Sequence, residues 1–280
     1  LILGAIIFSS ITYYLGVYQG LGRSGSPINP ISYATMGVII SALLFTFILK
    51  SESVKERSII SLCICVIIFA LTVNQSRGLW LAFICSVVIL TLIHLKNVNI
   101  KIGYIVPIIM LVVVSVFWGF NKLEQRIIQT QKEISSIDSG NFNTSIGIRL
   151  QLWMAAPKLI AEKPLLGHGR DHDKALQKIA DSGEISNTAA SYTHYHNLFI
   201  NRLVKEGFIG LALLLLFLFY PLFSSYKRDE FEKAVGIVTV VIIAGLTDVP
   251  LNHGAPILMF ILLAYTLSSN NQINKEQSHD

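Results

Sequence analysis

Four short stretches carry residue types able to do chemistry. Ser76-Arg77-Gly78 puts a guanidinium at the mouth of an apolar run, and Ile148-Arg149-Leu150-Gln151-Leu152-Trp153 puts another on an amphipathic segment. Thr193-His194-Tyr195-His196-Asn197 offers two imidazoles two residues apart, and Leu246-Thr247-Asp248-Val249-Pro250 offers a carboxylate at the end of a further apolar run. Two guanidinium forks suit a pyrophosphate better than lysines do, because they bond its oxygens in pairs. A neutral imidazole is a general base near neutral pH. A carboxylate in an apolar setting is costly and usually has a partner, here His196 or an arginine. Each stretch has an ordinary reading too: a snorkelling anchor for Arg77, a surface arginine for Arg149, polar residues of a wet loop for His194 and His196, a water-facing acid for Asp248. On a strand the two histidines would share a face, and on a helix they would diverge. A metal site needs a third ligand, and nothing in the sequence fixes the distance of His168 or His172, so the residues favour a general base over a metal site.

The elements that must position these residues are membrane helices. The chain has 280 residues, 52% of them hydrophobic and only 14% charged, against roughly a quarter charged in ordinary globular chains. Mean hydropathy is +0.59. Apolar runs of span length lie near Leu1–Gln19, Ile31–Leu49, Ser58–Val73, Leu79–Leu95, Ile102–Phe120, Phe208–Tyr226, Ala234–Val249 and Ala255–Ser268, about eight in all. Lys50, Lys55 and Arg57, then Lys96 and Lys101, then Lys227, Arg228 and Lys233 occupy alternate short connections. The positive-inside rule puts those connections in the cytoplasm and the four chemical stretches together on the outer side. The net charge of +5 is topological rather than a nucleic-acid signal, since no basic stripe with interleaved aromatics exists. Cys63, Cys65 and Cys85 lie in apolar runs without pairing or zinc spacing, and read as small apolar filler.

The expected fold class is therefore all-α: a polytopic helical bundle over 1–120, a loop domain over 121–207, further transmembrane helices over 208–269 and a cytoplasmic tail over 270–280. The chain opens at Leu1 inside an apolar run without a basic n-region, so the expectation is the C-terminal part of a longer bundle and no signal peptide. Within the long loop, helical spacing places Leu123, Ile127 and Ile134 on one side, and Leu152, Ala156 and Leu159 on one side of Ile148–Ile160, with a bend expected at Pro157. Ser135–Ile146 reads as a flexible turn. Asp171 and Asp173 read as caps of a helix through Ile179, and Thr193–Glu206 as a helix running into the sixth span.

In residues and in order, these stretches resemble the O-antigen ligases, within the O-antigen ligase and polymerase superfamily of bacterial envelope proteins. The resemblance runs through Gln75-Ser76-Arg77, Gly147-Ile148-Arg149-Leu150, the His196-Asn197 pair followed nine residues later by Gly207-Phe208-Ile209-Gly210, and Leu246-Thr247-Asp248-Val249. It implies a multi-pass enzyme of the bacterial inner membrane with its site facing the periplasm. It further implies a metal-independent inverting glycosyltransferase of lipopolysaccharide biosynthesis, which uses no cofactor and transfers a glycan from undecaprenyl pyrophosphate to lipid A–core. The matching catalytic positions are His196 as general base, with Arg149 and Arg77 stabilising the pyrophosphate. Arg77, Arg149, His194 and Asp248 are the expected substrate-binding residues. The implied partners are the undecaprenyl-pyrophosphate-linked glycan, the lipid A–core acceptor and membrane lipids, with no nucleic acid. Within the superfamily the alternative is an O-antigen polymerase. Outside it stand a membrane transporter with the arginines lining an anion path, and a scaffold without catalysis.

Overall fold

The computed structural model describes residues 1–22, 26–97 and 127–276, and among these the chain is helical throughout, without a strand. The helices are α1 (Ile2–Ile11, continued by a π-helical stretch Thr12–Tyr18), α2 (Pro30–Lys50), α3 (Val54–Asn74) and α4 (Arg77–Asn97). They continue with α5 (127–138), α6 (Ser145–Glu162), α7 (His172–Asp181), α8 (Asn187–Ala190), α9 (Leu198–Ser225), α10 (Phe231–Thr247) and α11 (Gly254–Glu276). The expected all-α class stands. Among the described residues four helices are long and apolar enough to cross a membrane: Pro30–Lys50, Val54–Asn74, Arg77–Leu95 and Leu198–Ser225. The count of eight is thus met only in part. Ile2–Tyr18 and Gly254–Ser269 are shorter apolar helices, α10 has 17 residues, and the expected span Ile102–Phe120 lies outside the described residues. The chain divides into two compact units, the first built from residues up to 97 with 219–244 and 250–276, the second from 127–218 with 245–249.

In the first unit α2 is central and packs against α1, α3, α4 and α11. Its interior hydroxyls bond back to their own helix, Thr35 to the Ile31 carbonyl, Ser41 to that of Gly37 and Thr46 to that of Leu43, so none of these three is stranded among apolar neighbours. Gly37 lets α1 approach: a Cβ there would lie 2.5 Å from the Phe8 ring, which stacks on Tyr33. Asn29 caps α2 through the Ile31 N–H, ahead of Pro30 at the first helical position. The last turns of α2 and α4 converge on the buried Glu232 of α10. His94 Nδ1 lies 3.2 Å from Glu232 Oε1, Lys50 Nζ lies 4.0 Å from Oε2, and Lys50 donates to the Asp229 carbonyl. Cys63, Cys65 and Cys85 are free thiols.

The second unit has its own core, of Ile148, Leu152, Ala155, Ala156 and Leu159 from α6 against Leu176, Ile179, Ile185, Ala189, Tyr195 and Val204. The expected buried face of Leu152, Ala156 and Leu159 is present. Thr144 caps α6, which runs as one helix through Pro157 to Glu162. Buried Gln151 staples the loops around it, donating to the Phe142 carbonyl and accepting from the Ser186 N–H. Three local readings change. The stretch 135–146 is not one flexible turn, because α5 continues to 138 before the turn at Gly140. Asp171 occupies the N-cap position of α7 but its side chain pairs with Lys174 instead of bonding the first turn, and Asp173 pairs with His172. No helix covers Thr193–Asn197; α9 begins at Leu198, because the Asn197 carboxamide accepts the N–H groups of Phe199 and Ile200 and ends the loop there.

One crossing shapes this unit. Gly207 (φ 66°, ψ −166°) interrupts α9, and the turn at residues 164–166 lies against the break. The Pro164 and Leu165 carbonyls accept the Phe208 and Ile209 N–H groups that the kink releases, and the Val204 carbonyl accepts from His168. A Cβ on Gly207 would sit 2.2 Å from the Leu165 carbonyl oxygen, and one on Gly167 would sit 2.4 Å from the Lys205 carbonyl carbon. Only glycine fits either position, for conformation and for space. Gly207→Ala is expected to cost more than about 3 kcal/mol, since rigid backbone must move. Gly183→Ala, also at positive φ (81°) but in open space, should cost only about 1–2 kcal/mol. Thermal melts of the two variants in detergent check this, and equal losses would mean that the crossing does not constrain the fold.

Candidate functional site

The loop before α9 holds the two histidines, and its backbone is pinned at both ends and in the middle. Trp153 Nε1 on α6 donates to the Tyr195 carbonyl at 2.8 Å, and Lys205 Nζ on α9 donates to the Thr193 carbonyl at 2.6 Å. Tyr195 is fully buried in the core beside His172, with ring centroids 5.9 Å apart. With Tyr195 pointing in, its neighbours His194 and His196 point the other way, and their rings meet edge to face at 4.3 Å. Tyr192 flanks both, 5.3 Å from the His196 ring and 6.4 Å from that of His194. His196 reaches this position with φ 47°, a left-handed conformation that few non-glycine residues adopt and that histidine tolerates better than most.

Asp248 arrives from the other direction. The last turn of α10 docks on the first turn of α9 at Gly245, where a Cβ would lie 3.2 Å from Leu198, and Asn197 Nδ2 donates to the Leu246 carbonyl. The helix ends at Thr247, not at Val249 as expected, so Asp248 stands just beyond it, buried, with its Oδ1 accepting the Val249 N–H at 2.7 Å. Its two oxygens lie 3.8 Å from His194 Nε2 and 3.8 Å from His196 Nδ1. This is ion-pair range and longer than a direct hydrogen bond, and His196 Nδ1 is buried without a hydrogen-bond partner among the described residues. Burial raises the Asp248 carboxyl. The His196 imidazole, the Val249 N–H and the positive fields of His196 and His194 outweigh it and hold the group below the usual carboxylate range. Asp248 is therefore ionised at neutral pH and placed to offset positive charge on either imidazole.

Arg149 stands one helical turn before Trp153 on α6, on the face that carries the bond to the histidine loop, and its Nε is buried without a partner among the described residues. Arg77 is the first residue of α4 in the first unit, where it is exposed. Thus the structure brings His194, His196 and Asp248 into one cluster, with Arg149 on the element that anchors their loop. The roles that the sequence reading did not assign are those of the anchors: Trp153, Lys205, Asn197 as cap and tether, and Tyr195 as the inward pivot. An asparagine directly before an apolar run is a cap signal legible in sequence. The Trp153 and Lys205 bonds go to backbone carbonyls and leave no such mark.

The cluster admits more than one chemistry. Donor atoms of His194, His196 and Asp248 lie within 4.8 Å of one another, and no fourth His, Cys, Asp or Glu joins them among the described residues. Three protein donors with an open position also describe a cation site. As acid–base groups, the same residues form a base whose conjugate acid meets a fixed carboxylate. His168 and His172, weighed as further ligands, lie elsewhere: His168 Nε2 is 2.8 Å from the Leu159 carbonyl, and His172 pairs with Asp173.

A protein of Haemophilus influenzae described only as uncharacterized is 27% identical over 204 residues, 71% of this chain and 50% of its own length. The ComP-specific O-oligosaccharyltransferase of Acinetobacter baylyi is 27% identical over 219 residues, 75% of this chain and 37% of its own. The chain thus spans half or less of the length of these relatives. A family model described as O-antigen ligase matches residues 61–215, which include Arg77, Arg149, both site histidines and the kink at Gly207. Since that match covers more than half of the sequence, this helical membrane protein belongs to the O-antigen ligase family.

Proposed function

We propose that the chain carries the catalytic part of a glycosyltransferase that moves a glycan from undecaprenyl pyrophosphate to a hydroxyl of lipid A–core. The observation that carries this reading is the cluster of two imidazoles about one buried carboxylate, on a loop pinned by Trp153 and Lys205. In this reading eight spans place the cluster on the periplasmic face of the inner membrane, within a loop domain over 121–207. His196 removes the proton of the acceptor hydroxyl, whose oxygen attacks the anomeric carbon from the face opposite the pyrophosphate. The bond from that carbon to the pyrophosphate breaks, the configuration inverts, and undecaprenyl pyrophosphate departs. Asp248 stabilises the imidazolium that forms, and His194 binds the acceptor beside it. Arg149 and Arg77 take up the charge growing on the pyrophosphate. A pyrophosphate leaves readily, so no second acid to protonate it and no metal to generate a nucleophile is required.

One observation favours a second acceptor. A relative is named a ComP-specific O-oligosaccharyltransferase, a name that points away from lipid A–core, and in this second reading the accepting hydroxyl of this chain's reaction is on a protein. Deleting the gene in its host and rescuing with the whole protein, wild type or His196→Ala, separates the readings. Bare core with accumulated lipid-linked polymer supports the ligase. Unchanged lipopolysaccharide with an unglycosylated protein supports the protein acceptor. Core bearing a single repeat indicates a polymerase. No change in any glycan excludes all three in that host.

In purified protein His196→Ala is expected to lower transfer about 10²–10⁴-fold with an unchanged melting temperature. Arg149→Ala should lower it about 10²–10³-fold, and Arg149→Lys should restore little because a lysine does not form the paired bonds. Near-normal transfer by His196→Ala would sink the general-base assignment. Exhaustive chelation should leave the rate unaltered. A loss reversed by Zn²⁺ would instead make His194, His196 and Asp248 cation ligands.

A further inference from the structure

The turn over the α9 kink exposes two adjacent leucines, Leu165 (64% exposed) and Leu166 (74%), at its tip, and packing within the unit explains neither. A two-leucine tip in water is unfavourable and calls for a covering partner. The backbone identifies which. Leu165 accepts the Ile209 N–H and Pro164 accepts the Phe208 N–H, so the tip is hydrogen-bonded to the place where α9 resumes after Gly207. From there α9 is a spanning helix whose outward residues, Phe208, Ile209, Leu213 and Leu216, are all exposed and apolar. The leucines continue that lipid-facing surface at its end. Gly167 and Gly207 fix the tip to the helix through backbone contacts too close for any side chain, so it cannot swing away from the bilayer surface.

We propose that Leu165 and Leu166 insert into the outer headgroup region of the bilayer as an interfacial wedge, anchoring the second unit to the membrane beside the start of the α9 span. The inference rests on α9 as a span and not on glycan transfer. The test uses the whole protein with Cys63, Cys65 and Cys85 replaced, reconstituted in phosphatidylethanolamine–phosphatidylglycerol bilayers and spin-labelled singly at Leu166→Cys, Leu213→Cys or Asn141→Cys. Power saturation with oxygen and a water-soluble nickel chelate reads depth. The label at 166 should lie about 5–10 Å below the phosphate level, shielded from nickel. That at 213 should lie deeper, and that at 141 in water. Leu165→Cys repeats the measurement, so one misfolded variant does not decide it. Aqueous readings at both 165 and 166 with a buried 213 overturn the wedge alone. An aqueous reading at 213 as well overturns the span and the wedge with it.

Discussion

Burial of the Tyr195 ring is the constraint on which the site depends. The ring fills the core between α6, α7 and α9, and the backbone on either side must then project its side chains outward. This is how two residues of one short loop come to face the same carboxylate without a strand or a helix to align them. The burial is not free of opposing contributions. The Tyr195 hydroxyl has no hydrogen-bond partner among the described residues, which costs about 1–3 kcal/mol, and burial pushes the phenol far above its ordinary range. Burying an aromatic of this size offsets that, and the Trp153 bond to the Tyr195 carbonyl fixes the backbone as well as the ring. His172 beside it is driven toward the neutral form by burial and by the Lys205 charge, with Asp173 opposing, so the imidazole against the pivot stays uncharged at neutral pH.

Charge on the outward side is arranged differently. One ionised carboxylate serves two imidazoles at equal distance, and the left-handed backbone at His196 holds its ring there against its own preference. A neutral imidazole gains little from Asp248, whereas an imidazolium gains a full ion pair in a partly desolvated setting. On the proposed reaction, stabilisation that grows as the proton moves favours the transition state over the resting state, which is what distinguishes catalysis from binding.

Much of this was legible in the sequence, and the rest failed for identifiable reasons. The all-α class, the buried face of Leu152, Ala156 and Leu159, and the membership of His194, His196 and Asp248 in the candidate set all follow from periodicity and residue type. The helix assigned to Thr193–Glu206 did not form over its first five residues, because the Asn197 cap and the burial of Tyr195 overrode helical spacing. Asp171 and Asp173 had cap chemistry but were captured by neighbouring Lys174 and His172, a choice that local pattern does not record. The crossing of Gly167 over Gly207 joins segments some forty residues apart, and sequence shows only two glycines without their partners.

Gly207 divides α9 between two solvents. Before it, Leu198 and Val204 are buried in the second unit; after it, Phe208, Ile209, Leu213 and Leu216 are exposed in a run long enough to cross a bilayer. A straight helix would carry one amphipathic pattern through both halves. The break lets each half choose its own apolar direction, and the N–H groups it releases are taken by Pro164 and Leu165 rather than left unpaired at the membrane surface. The ten residues from Asn197 to Gly207 rise roughly 15 Å at helical pitch. On the proposed reaction the histidine loop is thereby held at a fixed reach from the point where α9 meets lipid. A donor anchored by its lipid tail presents its pyrophosphate at a fixed height too, so a rigid spacer between membrane and base brings the reacting groups into register without a moving part.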